Sequence, residues 1–308
     1  MKKLILGVAA IVALFATSCQ QESNLGVKAG KTSTVTFNLN SPEIASRLFS
    51  DGTTATALQY AVYNAEGTEL TDLTVTEADG VTINISTTVE LQLTTGNTYT
   101  IVFWAAAPNA PYAVNFGGKL ADAVMTVDYS TAKTLCNDEG RDAFWAYHTF
   151  TVTGSMELDV DLKRPFAQIN VGTNDYAKST SAGYTVTQSK VVVPAYTKLY
   201  LGTGVVDGET NVTFDFANIP QGETFPVAGY DYMAMNYILM SADKVVREVT
   251  ISYTDGVTPK TRPTVGSVPL QRNYRTNLFG QLLTGNVKVN VEIKPEYDDE
   301  HEMQLPTL

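Results

Sequence analysis

Val81-Thr82-Ile83-Asn84-Ile85-Ser86-Thr87-Thr88-Val89-Glu90-Leu91-Gln92-Leu93 sets an apolar side chain at every second position in two successive runs. Successive side chains of an extended chain point to opposite faces, so this period gathers the apolar groups on one side only if the segment is a strand. Thr95-Gly96-Asn97 follows at once, and glycine there supplies the positive φ that a tight hairpin demands. Moving outward, Val35, Phe37 and Leu39 repeat the pattern near the amino terminus. Runs from 58 to 63, 99 to 106, 149 to 152, 156 to 162, 166 to 171, 191 to 193, 212 to 216, 232 to 240, 245 to 253 and 287 to 293 read as further strands. Between them stand Asp51-Gly52, Glu66-Gly67, Asp79-Gly80, Asp207-Gly208 and Asp255-Gly256, all turn dipeptides. Many short strands punctuated by turns predict an all-β chain built of sandwiches.

Helical periodicity is nearly absent. The best candidates, Pro42 to Ser46 and Asn174 to Ser181, are too short for the crossovers of a parallel α/β sheet. Arg164-Pro165 separates two strand runs, and because proline cannot donate to a ladder the boundary between two sandwiches is placed there.

The amino terminus reads differently. Lys2 and Lys3 precede an apolar run from Leu4 to Phe15, then Ala16, Thr17 and Ser18 lead to Cys19. These are the charged, apolar and cleavage regions of a secretory leader. The apolar run is 12 residues long, against about 20 for a helix that crosses a bilayer. Ala16-Thr-Ser-Cys19 resembles a lipobox, with alanine where leucine is more usual. Residues 1–18 are therefore expected to leave as a signal peptide, cut between Ser18 and Cys19, with Cys19 carrying lipid and residues 19–32 acting as a linker. Acyl chains contribute about 0.8 kcal/mol per buried methylene, so two or more of them give lasting attachment to a membrane.

Once Cys19 carries lipid, Cys136 is a lone thiol without an intramolecular disulfide partner. Lys2 and Lys3 depart with the leader, so 19 basic residues face 32 acidic ones, a formal charge of −13. That balance argues against nucleic acid as a partner. The acidic run Asp298, Asp299, Glu300, His301 and Glu302 reads as a solvated tail, and neither a metal nor a cofactor is expected.

Catalytic motifs are not evident. His148 alternates with Phe150 and Val152, which points to a structural role, and no Ser or Cys stands at a diagnostic spacing from it. Gly30-Lys31-Thr32 has the ending of a phosphate-binding loop, but Gly26 is one residue too near and a strand follows where a helix should begin. Asp159 and Asp161 alternate with Val160 and Leu162, the pattern of the wet face of a strand. No enzyme is predicted.

Several peptides, in their order, resemble the fimbrillin family of FimA-like type V pilins. They are Val35-Thr-Phe-Asn-Leu39, Leu58-Gln-Tyr-Ala-Val-Tyr63, Asn137-Asp-Glu-Gly-Arg-Asp-Ala-Phe144, Leu162-Lys-Arg-Pro-Phe-Ala-Gln-Ile-Asn170, Arg272-Asn-Tyr-Arg-Thr-Asn277 and Val287-Lys-Val-Asn-Val-Glu-Ile293. The resemblance implies a lipoprotein precursor of two tandem transthyretin-like β-sandwich domains, placed here at 33–164 and 165–294 with an acidic tail at 295–308. It further implies export to the outer membrane and cell surface, assembly with other fimbrial subunits, identical or accessory, and contact with host or bacterial surface ligands. A trypsin-like protease would cut after an arginine, freeing the first strand for replacement by another subunit's last strand.

Here the matching bond lies between Arg47 and Leu48, although an ordinary loop arginine would look the same. The displaced strand would carry Val35, Phe37 and Leu39. The donor would present Val287, Val289, Val291 and Ile293, alternating with Lys288, Asn290, Glu292 and Lys294, unless it pairs within its own domain. The competing reading is a glycan-binding surface lipoprotein of a polysaccharide-uptake system, suggested by 16 tyrosines and two tryptophans. Against it, Trp104 and Trp145 sit within apolar or aromatic runs that suit packing better than an exposed platform.

Overall fold

A computed structural model describes residues 30–40, 52–76, 86–130, 134–284 and 289–295. The chain divides after Lys31, and the unit from Thr32 onward holds every described strand. In chain order the strands are β1 (Thr32–Asn40), β2 (Ala57–Tyr63), β3 (Ser86–Thr94), β4 (Thr98–Ala106), β5 (Tyr112–Asn115), β6 (Val124–Val127), β7 (Ala143–Thr151), β8 (Met156–Asp161), β9 (Phe166–Thr173) and β10 (Gln188–Ala195). They continue as β11 (Lys198–Tyr200), β12 (Val206–Asp207), β13 (Thr210–Asn218), β14 (Asp231–Leu239), β15 (Val245–Thr254), β16 (Lys260–Thr261), β17 (Val265–Leu270), β18 (Tyr274–Gly280) and β19 (Val289–Pro295). A single α-helix among the described residues, α1 (Tyr176–Ser181), falls inside the second of the two segments singled out as helical candidates. The protein is all-β, as the alternating pattern requires. Pro42 to Ser46, Val81 to Ile85 and residues 296–308 of the acidic tail lie outside the described residues, Pro295 closing β19.

The first sandwich faces the sheet β3-β1-β8 with the sheet β2-β4-β7. Val35, Phe37 and Leu39 of β1, Val89, Leu91 and Leu93 of β3, Leu58 and Val62 of β2, and Ile101 and Phe103 of β4 share its core. The second faces β14-β9-β18-β19 with a sheet built around β13-β10-β15, around Ile169, Val171, Val191, Phe214, Ile251 and Leu278. Pro194 sits on β10 beyond Val192, the last residue that β15 pairs on its side, so its missing N–H removes no bond of that ladder.

A further sheet, β12-β11-β6-β5, takes two strands from each side of Arg164-Pro165. Met125 and Leu199 of that sheet share a third core with Val102, Trp104 and Trp145 from the back of β2-β4-β7 and with Met235 and Tyr237 from the back of β14. That is why β4 and β14 read as continuous apolar runs: strands covered on both faces do not alternate. The connection between β8 and β9 is held by Arg164, whose Nε and Nη2 donate to Asp142 at 2.6 and 2.7 Å while its guanidinium lies 4.7 Å from the Phe144 ring centre.

Candidate functional site

β1 is an interior strand. It pairs antiparallel with β3, Val35 opposite Leu91 and Phe37 opposite Val89, and parallel with β8, Val35 opposite Met156 and Leu39 opposite Val160. The structure gives β1 two ladders, so its departure would leave β3 and β8 on either side of a strand-wide slot. Val35, Phe37 and Leu39 are each 0% exposed. The Phe37 ring meets Phe103 edge-on at 5.7 Å and Phe150 edge-on at 5.3 Å, so the middle position of the slot is a pocket shaped for a ring.

The outer face of the same strand is polar and carries no charge of its own. Asn38 Nδ2 donates to Asp159 Oδ1 at 3.1 Å and Asn40 Nδ2 to Asp161 Oδ1 at 3.4 Å. Thr36 stands between Glu90 of β3 and Glu157 of β8, and Gln92 Nε2 donates to Thr34 Oγ1 at 2.8 Å. Four carboxylates therefore flank an uncharged occupant. All four are exposed, and Asp159 and Asp161 were read from sequence as a wet strand face. Glu90 and Glu157 were not singled out, because their convergence depends on a parallel pairing across more than a hundred residues that no local pattern reveals.

β19, the candidate donor, is the outer strand of its sheet and pairs antiparallel with β18 over its whole length. Val289 and Val291 pack against the second core and Ile293 is buried, so in this state the apolar side serves its own sandwich. On the other side Asn277 Nδ2 donates to Glu292 Oε2 at 3.1 Å, and Asn170, Gln168 and Arg275 continue a buried polar row across β9 and β18. The turn after β18 is fixed by Asp175. Its carboxylate accepts from Thr173 Oγ1 at 2.5 Å, from the Thr284 N–H and Oγ1 at 2.8 and 2.9 Å, and from the Leu283 N–H at 3.2 Å. Burial alone would raise the Asp175 pKa, but those donors outweigh it and hold the group below its usual range.

Other candidates from the sequence resolve as follows. Ser18, Cys19, Arg47, Leu48, Val287 and His301 lie outside the described residues. His148 stacks on Phe150 at 6.1 Å. Cys136 is buried, and burial pushes its thiol up to about 11 against the lowering effect of donors from Asn236 and Ser189, so it stays protonated at neutral pH. β1 begins at Thr32, where a phosphate-binding loop would need a helix. Trp104 and Trp145 are 3% and 7% exposed, Trp145 donating from Nε1 to the Leu201 carbonyl at 3.0 Å. Among the described residues no three His, Cys, Asp or Glu side chains gather as a metal site, and no helix is long and apolar enough to cross a membrane.

The fold is shared with solved proteins of Bacteroides species. A candidate polysaccharide-binding protein (DUF1812) of Bacteroides thetaiotaomicron superposes with a TM-score of 0.51 at 12% identity, over 90% of this chain and 100% of that one. A candidate adhesin of Bacteroides ovatus gives 0.51 at 9% identity, over 84% and 93%. The fimbrial tip protein Mfa3 of Porphyromonas gingivalis, with C-terminal truncation, gives 0.49 at 10% identity, over 85% and 99%. At these identities the likeness is one of fold. No curated protein matches the sequence. Residues 27–307 match the model of the family of unknown function DUF6562, and the chain belongs to that family.

Proposed function

We propose that this chain is a fimbrial or adhesin subunit of the bacterial surface, exported as a lipoprotein on Cys19, whose first strand is a removable occupant of the slot between β3 and β8. The observation that carries the reading is the complete burial of Val35, Phe37 and Leu39 on the first described strand, which residues 41–56 join to β2. Arg47 falls within that connection. The fold shared with a candidate adhesin and the ordered fimbrillin-like peptides, which also carry the transthyretin-like description of each sandwich, support the same reading.

The energetics are consistent with a step that needs processing. Three fully buried apolar side chains contribute about 5 to 9 kcal/mol together. A tethered strand acts at a local concentration of about millimolar or more, so a free competitor would rarely displace it until the tether is cut. Cutting after Arg47 would remove the tether, the linker and the lipid together.

The test is limited trypsin digestion of the purified precursor. A new amino terminus at Leu48, loss of residues 32–40 and oligomer ladders that survive mild detergent are expected, with Arg47→Ala folded but uncut. Trimmed protein that stays monomeric and recruits no partner subunit would count against assembly by strand replacement. Glycan binding is the second reading, favoured by the fold shared with a candidate polysaccharide-binding protein. Tyr147, 43% exposed beside Trp145, is the one exposed aromatic ring among the described residues. A polysaccharide array on which Tyr147→Ala abolishes micromolar binding would establish it.

A further inference from the structure

We infer that the slot is selective: it takes a strand with a bulky ring between two smaller apolar residues, so its occupant after β1 is a strand of a different subunit and not this chain's own residues 287–295. The inference rests on the strand-replacement reading and adds the chemistry of the partner.

The apolar side of the slot makes the selection. Its middle position holds Phe37 at 0% exposure, with Phe103 and Phe150 edge-on to the ring. Residues 287–295 read Val-Lys-Val-Asn-Val-Glu-Ile-Lys-Pro and offer no ring in any register. A valine or isoleucine there would leave a void between two aromatic side chains that are themselves set by β4 and β7.

Charge does not decide between the two strands. With β1's direction kept, three registers place apolar residues of 287–295 at the positions of 35, 37 and 39. If Val289, Val291 and Ile293 enter, Glu292 takes the place of Asn38 and meets Asp159. If Val287, Val289 and Val291 enter, Glu292 takes the place of Asn40 and meets Asp161. If Val291, Ile293 and Pro295 enter, Glu292 takes the place of Thr36 between Glu90 and Glu157, and the proline has no N–H for the ladder. Every register sets Glu292 beside a carboxylate where β1 offers an amide or a hydroxyl, but each also sets a lysine against another carboxylate: Lys294 meets Asp161 in the first, Lys288 stands between Glu90 and Glu157 in the second, and Lys294 meets Asp159 in the third. A like-charge neighbour across an exposed ladder changes retention by about threefold, whereas the missing ring changes it by about tenfold or more. The ring is therefore the selector, since the lysines offset the repulsion at Glu292.

The test uses the whole chain with a site-specific protease sequence in place of residues 44–49, so that it does not depend on Arg47. The cut chain is challenged with labelled peptides, and the lifetime of the bound label is read. A peptide of residues 32–40 should be captured and held. Its Phe37→Val form should leave about tenfold sooner, its Asn38→Glu form about threefold sooner, and its Asn38→Lys form no sooner than the parent. The 287–295 peptide, which lacks the ring, should leave as soon as the Phe37→Val form. If that peptide is held as long as 32–40, or if Phe37→Val changes nothing, the selectivity is overturned while strand replacement stands. If not even the 32–40 peptide enters the cut chain, strand replacement fails and the selectivity fails with it.

Discussion

Asp175 shows how much one side chain can fix. It is 0% exposed, yet it accepts from Thr173, Leu283 and Thr284 and so ties the start of the second sandwich's helix to the turn that leads toward β19. A buried carboxylate that satisfies several donors is costly to replace, because each donor is then left dry. Asp175→Asn keeps the size but offers one acceptor oxygen and two new hydrogens. At pH 7 the variant should be less stable by about 2 kcal/mol. The pH dependence has a definite sign. The folded pKa lies below the ordinary value, so the stabilisation is complete above about 4 and is lost as pH falls through the lower folded value. The difference between wild type and Asp175→Asn, measured as urea midpoints, should therefore narrow between pH 7 and pH 3. Equal midpoints at pH 7, or a gap that widens in acid, would show that Asp175 does not act as this anchor. Nothing local in Asn174-Asp175-Tyr176 announced this role, because its partners at 283 and 284 lie more than a hundred residues away.

At the scale of elements, β1 and β19 have the same alternating pattern but different positions. β1 has two ladders and three fully buried side chains; β19 has one ladder, with Val289 and Val291 only partly covered. Protection against hydrogen exchange follows local opening, and an edge strand opens without disturbing its neighbours. In the uncut chain the amides of Val35 to Leu39 should exchange at least about a hundredfold more slowly than those of Val291 and Ile293. Equal protection of the two strands would mean that β1 is no better held than an edge. The alternating strands were legible because one buried face writes itself into every second residue. β18 was not: Arg275 and Asn277 are buried at polar positions, satisfied by Gln168, Asn170 and Glu292 on neighbouring strands, so its pattern reads as surface. β5, β6, β11 and β12 are at most four residues long, too short for a period to emerge. For the site, the three core residues of the slot were legible; its two-sided pairing and its acidic border were not, since both arise from the distant strand β8.

For the whole molecule the decisive feature is the third core. A chain of two independent sandwiches would unfold in two steps, as multidomain proteins commonly do. Here the sheet β12-β11-β6-β5 draws strands from both sides of Arg164-Pro165, and Met125 at its centre is 0% exposed against side chains from the backs of both sandwiches. Neither sandwich can unfold fully without breaking the pairing of Leu199 with Met125 and stripping the cover from β4 or β14. The sandwiches should therefore unfold in one cooperative transition. Trp104 and Trp145 both line the third core, so their fluorescence reports on the junction while far-ultraviolet circular dichroism reports on all the strands. The two signals should change together with urea, and Met125→Ala, which opens a cavity costing about 2 to 5 kcal/mol, should shift both midpoints by the same amount. If fluorescence instead changes first and leaves most of the dichroism for a later transition, the shared sheet is only a cover laid over two separate domains.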